Sequence, residues 1–540
     1  MNASPTAKMN MMILSSRWRL VVFGGLFVII LSSIALFHDS APTSVKQSIN
    51  TVSHGKLFTS ESLSPKKPTS PPSTTSKFHL LVPASGSHFR LCRAITSSTL
   101  LGYPAPVLNG WMKQGELNAS ETHLAKVRTV LNYLDSLPQE ADDDLVLMVD
   151  GYDLVFQLPP EIMIERYFAV IKAANAKIAA QWGVDSVDEL TGNNAPRQTI
   201  LFGPEKTCYP TLWNRIGCWA TWGKDIDIPV GAYGTPDGSI EHNQPIGLNS
   251  GTIIGPTHDM RRMFRATLRH IAEKYDPENI DYKDSDQMYM GEVWGEQEWY
   301  RSIQRHQVYF HDELNITDFI PDDGTENKTI PKYDPKKQTE FHIGIDHRGA
   351  LFQTRAGSDA ILGLLSYNET GSQKGTTAAQ VTFNTTEIKG SFQPYWIDLP
   401  TNLAVSISRL LESISHVVAR VPAISELRLG TNVVTRNVYA IFHCTGPKEY
   451  IDDMWYELWF FPYARQLVDA AVKALREKRP IGTVEGRNWV PAHTLPQDEQ
   501  YLEVEGVKAI GAWSDLDNVW VGWDELCGKF EGDVFDEPKT

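Results

Sequence analysis

Eighteen consecutive residues without a charge, Leu20 to Phe37 (LVVFGGLFVIILSSIALF), divide this chain and set the chemistry of everything that follows them. A run of that length just crosses a hydrocarbon core as a helix and suits a thin bilayer such as that of the ER or early Golgi. Lys8, Arg17 and Arg19 precede it, whereas His38 and Asp39 follow. The positive-inside rule therefore leaves residues 1–19 in the cytosol and places the rest in the lumen, a single-pass type II arrangement. A cleaved signal peptide is the competing reading, with Ser33-Ile34-Ala35 as its small-x-small site. The long segment before the run and the length of the run itself favour an uncleaved signal anchor over residues 20–37.

Residues 38–76 are crowded with Ser, Thr, Pro and Lys and end in PTSPPSTTS without helical or strand periodicity, the composition of a stem that buries too little to order itself. Beyond the anchor, N-x-S/T sequons occur at Asn118, Asn315, Asn327, Asn368 and Asn384, as suits a glycosylated lumenal surface. A formal net charge of -15 argues against a nucleic-acid partner. Five scattered cysteines, with no CxxC pair, exclude a zinc module or a disulfide-rich scaffold. Cys208 and Cys218 are close enough to close a short loop in an oxidising lumen, and the odd count leaves at least one thiol unpaired within the chain.

From Lys77 onward, short apolar runs alternate with helical patterns. FHLLVPA (78–84), LVLMV (145–149), TILFG (199–203) and VYAIFH (438–443) read as strands. Met260, Met263, Phe264, Leu268, Ile271 and Tyr275 fall at helical spacing, and residues from Met454 to Arg476 behave similarly. The alternation predicts an α/β fold on a largely parallel sheet, with ligands beyond the carboxyl ends of the strands. The expected globular domain runs over 77–480 with an insertion at about 356–430, and 481–540 is expected as an acidic C-terminal extension.

The residues that carry chemistry sit at strand ends. LVLMV runs into Asp150-Gly151-Tyr152-Asp153, so a strand end fixes one carboxylate and a turn returns a second beside it. Two hard oxygen donors suit Mn²⁺ or Mg²⁺, although aspartates are also ordinary turn formers after a strand. Far downstream, IFHCTGPK delivers His443 at another strand end, followed by Gly446 and Lys448. The imidazole can complete a coordination set and the ammonium can neutralise phosphate oxygens; a histidine in that place is otherwise structural.

Asp150-x-x-Asp153, Leu248-Asn249-Ser250-Gly251 leading to Ile254-Gly255, Asp286-Gln287, Asp346-His347 with Phe352-Gln353, and His443-x-x-Gly446-Pro447-Lys448 occur in an order that resembles the glycosyltransferase domain of PLOD-type procollagen lysyl hydroxylases, which is similar to procollagen galactosyltransferases. The resemblance covers about residues 77–455. It implies a GT-A, Rossmann-like glycosyltransferase fold and a UDP-sugar donor, glucose or galactose, used with Mn²⁺ held by Asp150, Asp153 and His443. It places Lys126, Tyr209, Gly446 and Lys448 near the donor and Asn249 among the residues lining the site. Lys126 reads alternatively as a solvated helix residue, and Tyr209 as a packing aromatic.

Asp286 matches the second carboxylate of the family's Asp-Asp-Gln, but Ser285 stands where the first belongs and Asp284 lies one residue earlier. An acceptor-orienting or acid/base role is expected of Asp286 or Asp284, against the alternative of a helix N-terminus complemented by carboxylates. The hydroxylase half is not implied, since only about 90 residues follow Lys448. The resulting expectation is a metal-dependent hexosyltransferase acting on a glycan or protein acceptor at a Golgi or ER membrane. A catalytically silent lumenal sugar-binding or scaffold protein of the same fold is the alternative, and a metal-dependent hydrolase is a third reading.

Overall fold

Alternate side chains of the first strands enter different cores, and this layers the molecule. A computed structural model describes residues 74–113, 123–223, 226–309, 315–381 and 395–538. Its strands begin with β1 (Thr74–Pro83), β2 (Val107–Asn109), β3 (Leu145–Val149), β4 (Leu154–Phe156), β5 (Ile200–Glu205), β6 (Gly247–Pro256), β7 (Ile343–Ile345) and β8 (Phe352–Thr354). In β1, Phe78, Leu80 and Val82 join one core and Leu81 the other; in β3, Leu145, Leu147 and Val149 oppose Val146 and Met148. That period of two, on strands buried from both sides, is the signature of a sheet covered on each face.

Helices Phe89–Leu100, Pro160–Trp182 and Ala464–Arg476 contribute to the first core. Helices Leu124–Ser136, Thr257–Lys274 and Asp286–Tyr309 contribute to the second. The spacing from Met260 to Ile271 lies on Thr257–Lys274 as expected, with Met260, Met263, Phe264 and Ile271 buried. The pattern from Met454 to Arg476 is instead two helices, Glu449–Glu457 and Ala464–Arg476. Pro462 lies between them and has no N–H to offer a continuous helix.

The remaining strands are β9 (Leu362–Ser366), β10 (Glu369–Thr370), β11 (Thr377–Val381), β12 (Tyr395–Asp398), β13 (Arg428–Asn432), β14 (Asn437–Val438), β15 (Ile441–His443), β16 (Gly482–Val484), β17 (Arg487–Pro491), β18 (Gly511–Ser514) and β19 (Trp520–Gly522). The central sheet follows the order β19-β18-β2-β1-β3-β6-β5-β7, with β17 also paired to β1 and β16 to β17. In it β1, β2, β3, β5, β7, β17 and β18 share one direction, and β6, β16 and β19 oppose them. The architecture is mixed α/β on a mostly parallel central sheet, compatible with a Rossmann-like fold.

Three boundaries differ from those drawn in the sequence. Thr74–Ser76, expected as the end of the stem, already form a strand, because Thr74 to Phe78 pair in parallel with Arg487 to Pro491. Residues 481–540, expected as an extension, supply β16 to β19 to the central sheet, and Cys527 is disulfide-bonded to Cys92. Within 356–430, expected as an insertion, Tyr367, Ala379, Ile397, Leu403 and Ile407 are buried in the first core. Residues 1–19, 20–37 and 38–73 lie outside the described residues, as do Asn118 and Asn384. Among the described residues no helix is long and apolar enough to cross a membrane, and Asn315, Asn327 and Asn368 are exposed. Cys208 is disulfide-bonded to Cys218, and Cys444 is a buried free thiol.

Candidate metal and donor site

A small second sheet closes the gap of about 290 residues between Asp153 and His443. β15 lies between β4, antiparallel, and β8, parallel, with His443 in register with Leu154 and Thr354. Because Asp153 immediately precedes β4, this register sets His443 beside it, and Cys444 N donates to Asp153 O at 2.7 Å. On the other side, β3 pairs antiparallel with β6, Val149 facing Thr252, and Asp150 N donates to Gly251 O at 2.8 Å.

The LNSG segment reaches the same point through a break in register. Phe202 of β5 pairs with Ile253, but the next residue, Gly203, pairs with Asn249. Ser250, Gly251 and Thr252 therefore bulge on the β5 side, and bulges of this kind re-aim side chains at strand ends. Gly251 is required here: a Cβ would stand 2.2 Å from His443 Cε1, 2.6 Å from Asp150 Oδ2 and 2.9 Å from His443 Nε2.

One ligand atom from each of Asp150, Asp153 and His443 lies within 4.8 Å of the others. His443 Nε2 is 3.2 Å from Asp153 Oδ2, and Asp153 Oδ1 is buried with no hydrogen-bond partner. Two carboxylates, an imidazole nitrogen and that orphaned oxygen fit a hard divalent cation such as Mn²⁺ or Mg²⁺. Burial disfavours charge on His443 and Asp153, yet charge wins at both. Asp153 and Asp150 hold the His443 pKa above its ordinary value against burial. His443 and Lys448 likewise keep the Asp153 carboxyl below the usual carboxylate range.

Two lysines flank the triad. Lys126, buried on Leu124–Ser136, donates to Asp150 Oδ1 at 2.9 Å and to Ser250 O at 3.3 Å, and its Nζ lies 2.6 Å from Asp286 Oδ2. The solvated-helix reading of Lys126 is thereby excluded. Its ammonium is held in the charged form against burial by Asp150 and Asp286. Lys448 Nζ, about one-third exposed, donates to Asp153 Oδ2 at 2.5 Å and to Cys444 O at 2.7 Å. Gly446 makes the turn between His443 and Lys448 at φ 79, a conformation suited to glycine.

The other expected residues divide. Asp286 opens Asp286–Tyr309 and is buried against Lys126, whereas Asp284 Oδ1 accepts from the Tyr275 hydroxyl at 3.2 Å. Asn249 is buried and touches His443: its Oδ1 lies 3.0 Å from Nδ1. Tyr209 is half exposed, its ring against Tyr282 at 6.0 Å, and with Leu248 and Gln287 it lines a cleft adjoining LNSG.

One participant escaped sequence reasoning, and a second was named there only within the Asp286-Gln287 motif. Glu205, the last residue of β5, is fully buried and accepts from Asn249 Nδ2 at 2.6 Å; burial pushes its carboxyl up to about 7. Gln287 Oε1 accepts from Ser250 N at 3.2 Å while its Nε2 donates to Tyr209 O at 3.3 Å. Gly203 and Pro204 separate Glu205 from the apolar residues of the run that reads as a strand, which hid it, whereas Gln287 stood in the Asp286-Gln287 motif without a role of its own. Among known proteins, no family model matches this chain and no curated protein matches it significantly.

Proposed function

We propose that the chain is a divalent-metal-dependent hexosyltransferase of GT-A type that uses a UDP-sugar, glucose or galactose, on a glycan or protein acceptor. The observation that carries this reading is the convergence of Asp150, Asp153 and His443 from three separate strand ends, with Lys126 and Lys448 beside them. Asp150, Asp153 and His443 Nε2 are the groups that would hold Mn²⁺ or Mg²⁺. When bound, the ion supplies Lewis-acid charge that offsets the diphosphate of the departing UDP.

Lys448 reaches the same place from a glycine turn with its ammonium partly exposed, so it can exchange Asp153 for a phosphate oxygen as negative charge develops there. Lys126 bridges Asp150 to Asp286 and ties the metal site to the acceptor side. Asp286 in turn orients the acceptor hydroxyl and helps remove its proton. The disulfides and the exposed sequons favour a lumenal domain, and the anchor at 20–37 makes the protein single-pass type II in a Golgi or ER membrane.

The test is release of UDP by the purified lumenal part, given Mn²⁺ and a panel of UDP-sugars, with and without simple saccharide acceptors and with EDTA as control. Failure of every UDP-sugar to bind or turn over in Mn²⁺ would sink the proposal. A second reading, sugar binding without transfer, is favoured by one feature: Lys126 and Lys448 already pair with both metal-site carboxylates. Metal-dependent UDP-sugar binding with no turnover on any acceptor selects it.

A further inference from the structure

The hydrogen bonds behind His443 have one consistent set of directions. Gly251 N, which can only donate, lies 3.0 Å from Asn249 Oδ1, and this fixes the amide with its oxygen toward His443. The Asn249 NH₂ then points the other way, giving hydrogen bonds to Glu205 Oε2 at 2.6 Å and to Gln287 Oε1 at 3.4 Å. The amide oxygen has a second lone pair, and His443 Nδ1 is 3.0 Å from it. An oxygen cannot donate, so Nδ1 must carry a proton. Nε2 faces the Asp153 carboxylate, and a cation that displaces the proton between them finds the lone pair on that nitrogen.

We infer that Asn249 and Glu205 are positioning residues: Glu205 fixes the Asn249 amide, and Asn249 holds His443 in the tautomer that turns a bare Nε2 toward a divalent cation between Asp150 and Asp153. Asn249 thus acts through the imidazole instead of touching substrate. All three residues are buried, which keeps water from replacing either hydrogen bond. A ligating histidine whose other ring nitrogen donates to a fixed acceptor is a more basic and better oriented ligand, and losing such a partner costs about 10- to 100-fold in metal affinity. The inference rests on the metal-binding reading of the triad, so its test has one arm with metal and one without.

Without metal, the wild-type protein is labelled with ¹⁵N-histidine and its tautomers are read by long-range ¹H–¹⁵N correlation at pH 9. The His443 signal is assigned by its loss in His443→Gln. Nδ1 is expected to carry a proton whether or not Nε2 also does; a ring protonated on Nε2 alone overturns the inference whether or not the protein binds metal. With metal, free Mn²⁺ is counted by electron paramagnetic resonance. Asn249→Leu and Glu205→Ala are expected to lose about 10- to 100-fold in affinity, while Glu205→Gln, which keeps an oxygen for the Asn249 NH₂, retains most of it. Asn249→Ser serves if the leucine variant does not fold. Wild-type Mn²⁺ affinity in folded Asn249 variants overturns the inference and leaves the proposed activity standing. A wild type that shows the Nδ1 tautomer but takes up no Mn²⁺ overturns the assignment of this tautomer to metal binding, along with the proposed activity.

Discussion

Replacing Gly251 with alanine adds one methyl group, supplies no ligand and removes none, yet it should abolish the site. The added Cβ would meet His443 Cε1 at 2.2 Å, Asp150 Oδ2 at 2.6 Å and His443 Nε2 at 2.9 Å. Ordinary contact begins at about 3.4 Å, so the imidazole or the Gly251 backbone must give way by roughly 1 Å. Neither moves freely: His443 is paired on both sides by β4 and β8, and Gly251 O accepts from Asp150 N. Coordination tolerates ligand shifts of about 0.2 Å, so a displacement several times larger should lower Mn²⁺ affinity by at least the 10- to 100-fold seen for lost outer-sphere partners. Overpacking should also cost about 1–3 kcal/mol of stability.

Gly446→Ala separates clash from backbone strain, since a Cβ there meets nothing within 4 Å but must adopt φ +79, at a cost of about 1–2 kcal/mol. Metal titration followed by paramagnetic resonance, UDP release, and thermal melting by circular dichroism read the two variants side by side. Gly251→Ala should melt as a folded protein with metal binding and turnover gone, and Gly446→Ala should melt lower but still bind. A Gly251→Ala protein with wild-type Mn²⁺ affinity and turnover refutes the steric account and the closeness of the triad with it.

His443→Ala should reduce metal-dependent UDP-sugar turnover by at least about 10- to 100-fold without unfolding the chain, and Asp150→Asn or Asp153→Asn combined with it should add little, since all act through one site; additive losses in the double variants would separate the three. Cys527→Ser should lower stability by about 2–5 kcal/mol because the Cys92–Cys527 bond closes a loop of sequence separation 435, and an unchanged melting temperature under non-reducing conditions would contradict that. A chain beginning at Phe78 loses the rungs from Thr74 to Lys77 against Arg487 to Val490, so it should melt below one beginning at Pro72; equal melting would return Thr74–Ser76 to the stem. Burial, helped by His79 and Lys77, pulls the His493 pKa down to about 4. The unfolded chain therefore takes up a proton near pH 6.5 that the folded chain refuses, and stability should fall from about pH 6.5 to 4 and be flat above, as far as this group contributes. His493→Gln should lessen that fall, and identical pH profiles for the two proteins would exclude it.

What the sequence reveals of this molecule depends on how far apart the partners lie. β3 was legible to the residue, because five buried apolar residues and a terminal carboxylate are a local pattern, and the carboxylates of Asp150 and Asp153 follow from it. His443 was legible as a strand-end histidine, but its place beside Asp153 depends on β15 inserting between β4 and β8, three-residue strands too short to announce their partners. The C-terminal strands were hidden for the same reason. RNWVP and GAWS show no alternation a window can detect, and the contact that explains Ser76 comes from Arg487, at a separation of 411 residues. Glu205 and Gly251 show a further limit. One reads as a charged residue after a Gly-Pro and the other as a loop glycine, until the bulge in β6 turns the first toward Asn249 and packs the second against His443. Residue type at a strand end can nominate a ligand, but the residues that hold the ligand in place are chosen by register, and register is a property of the folded sheet.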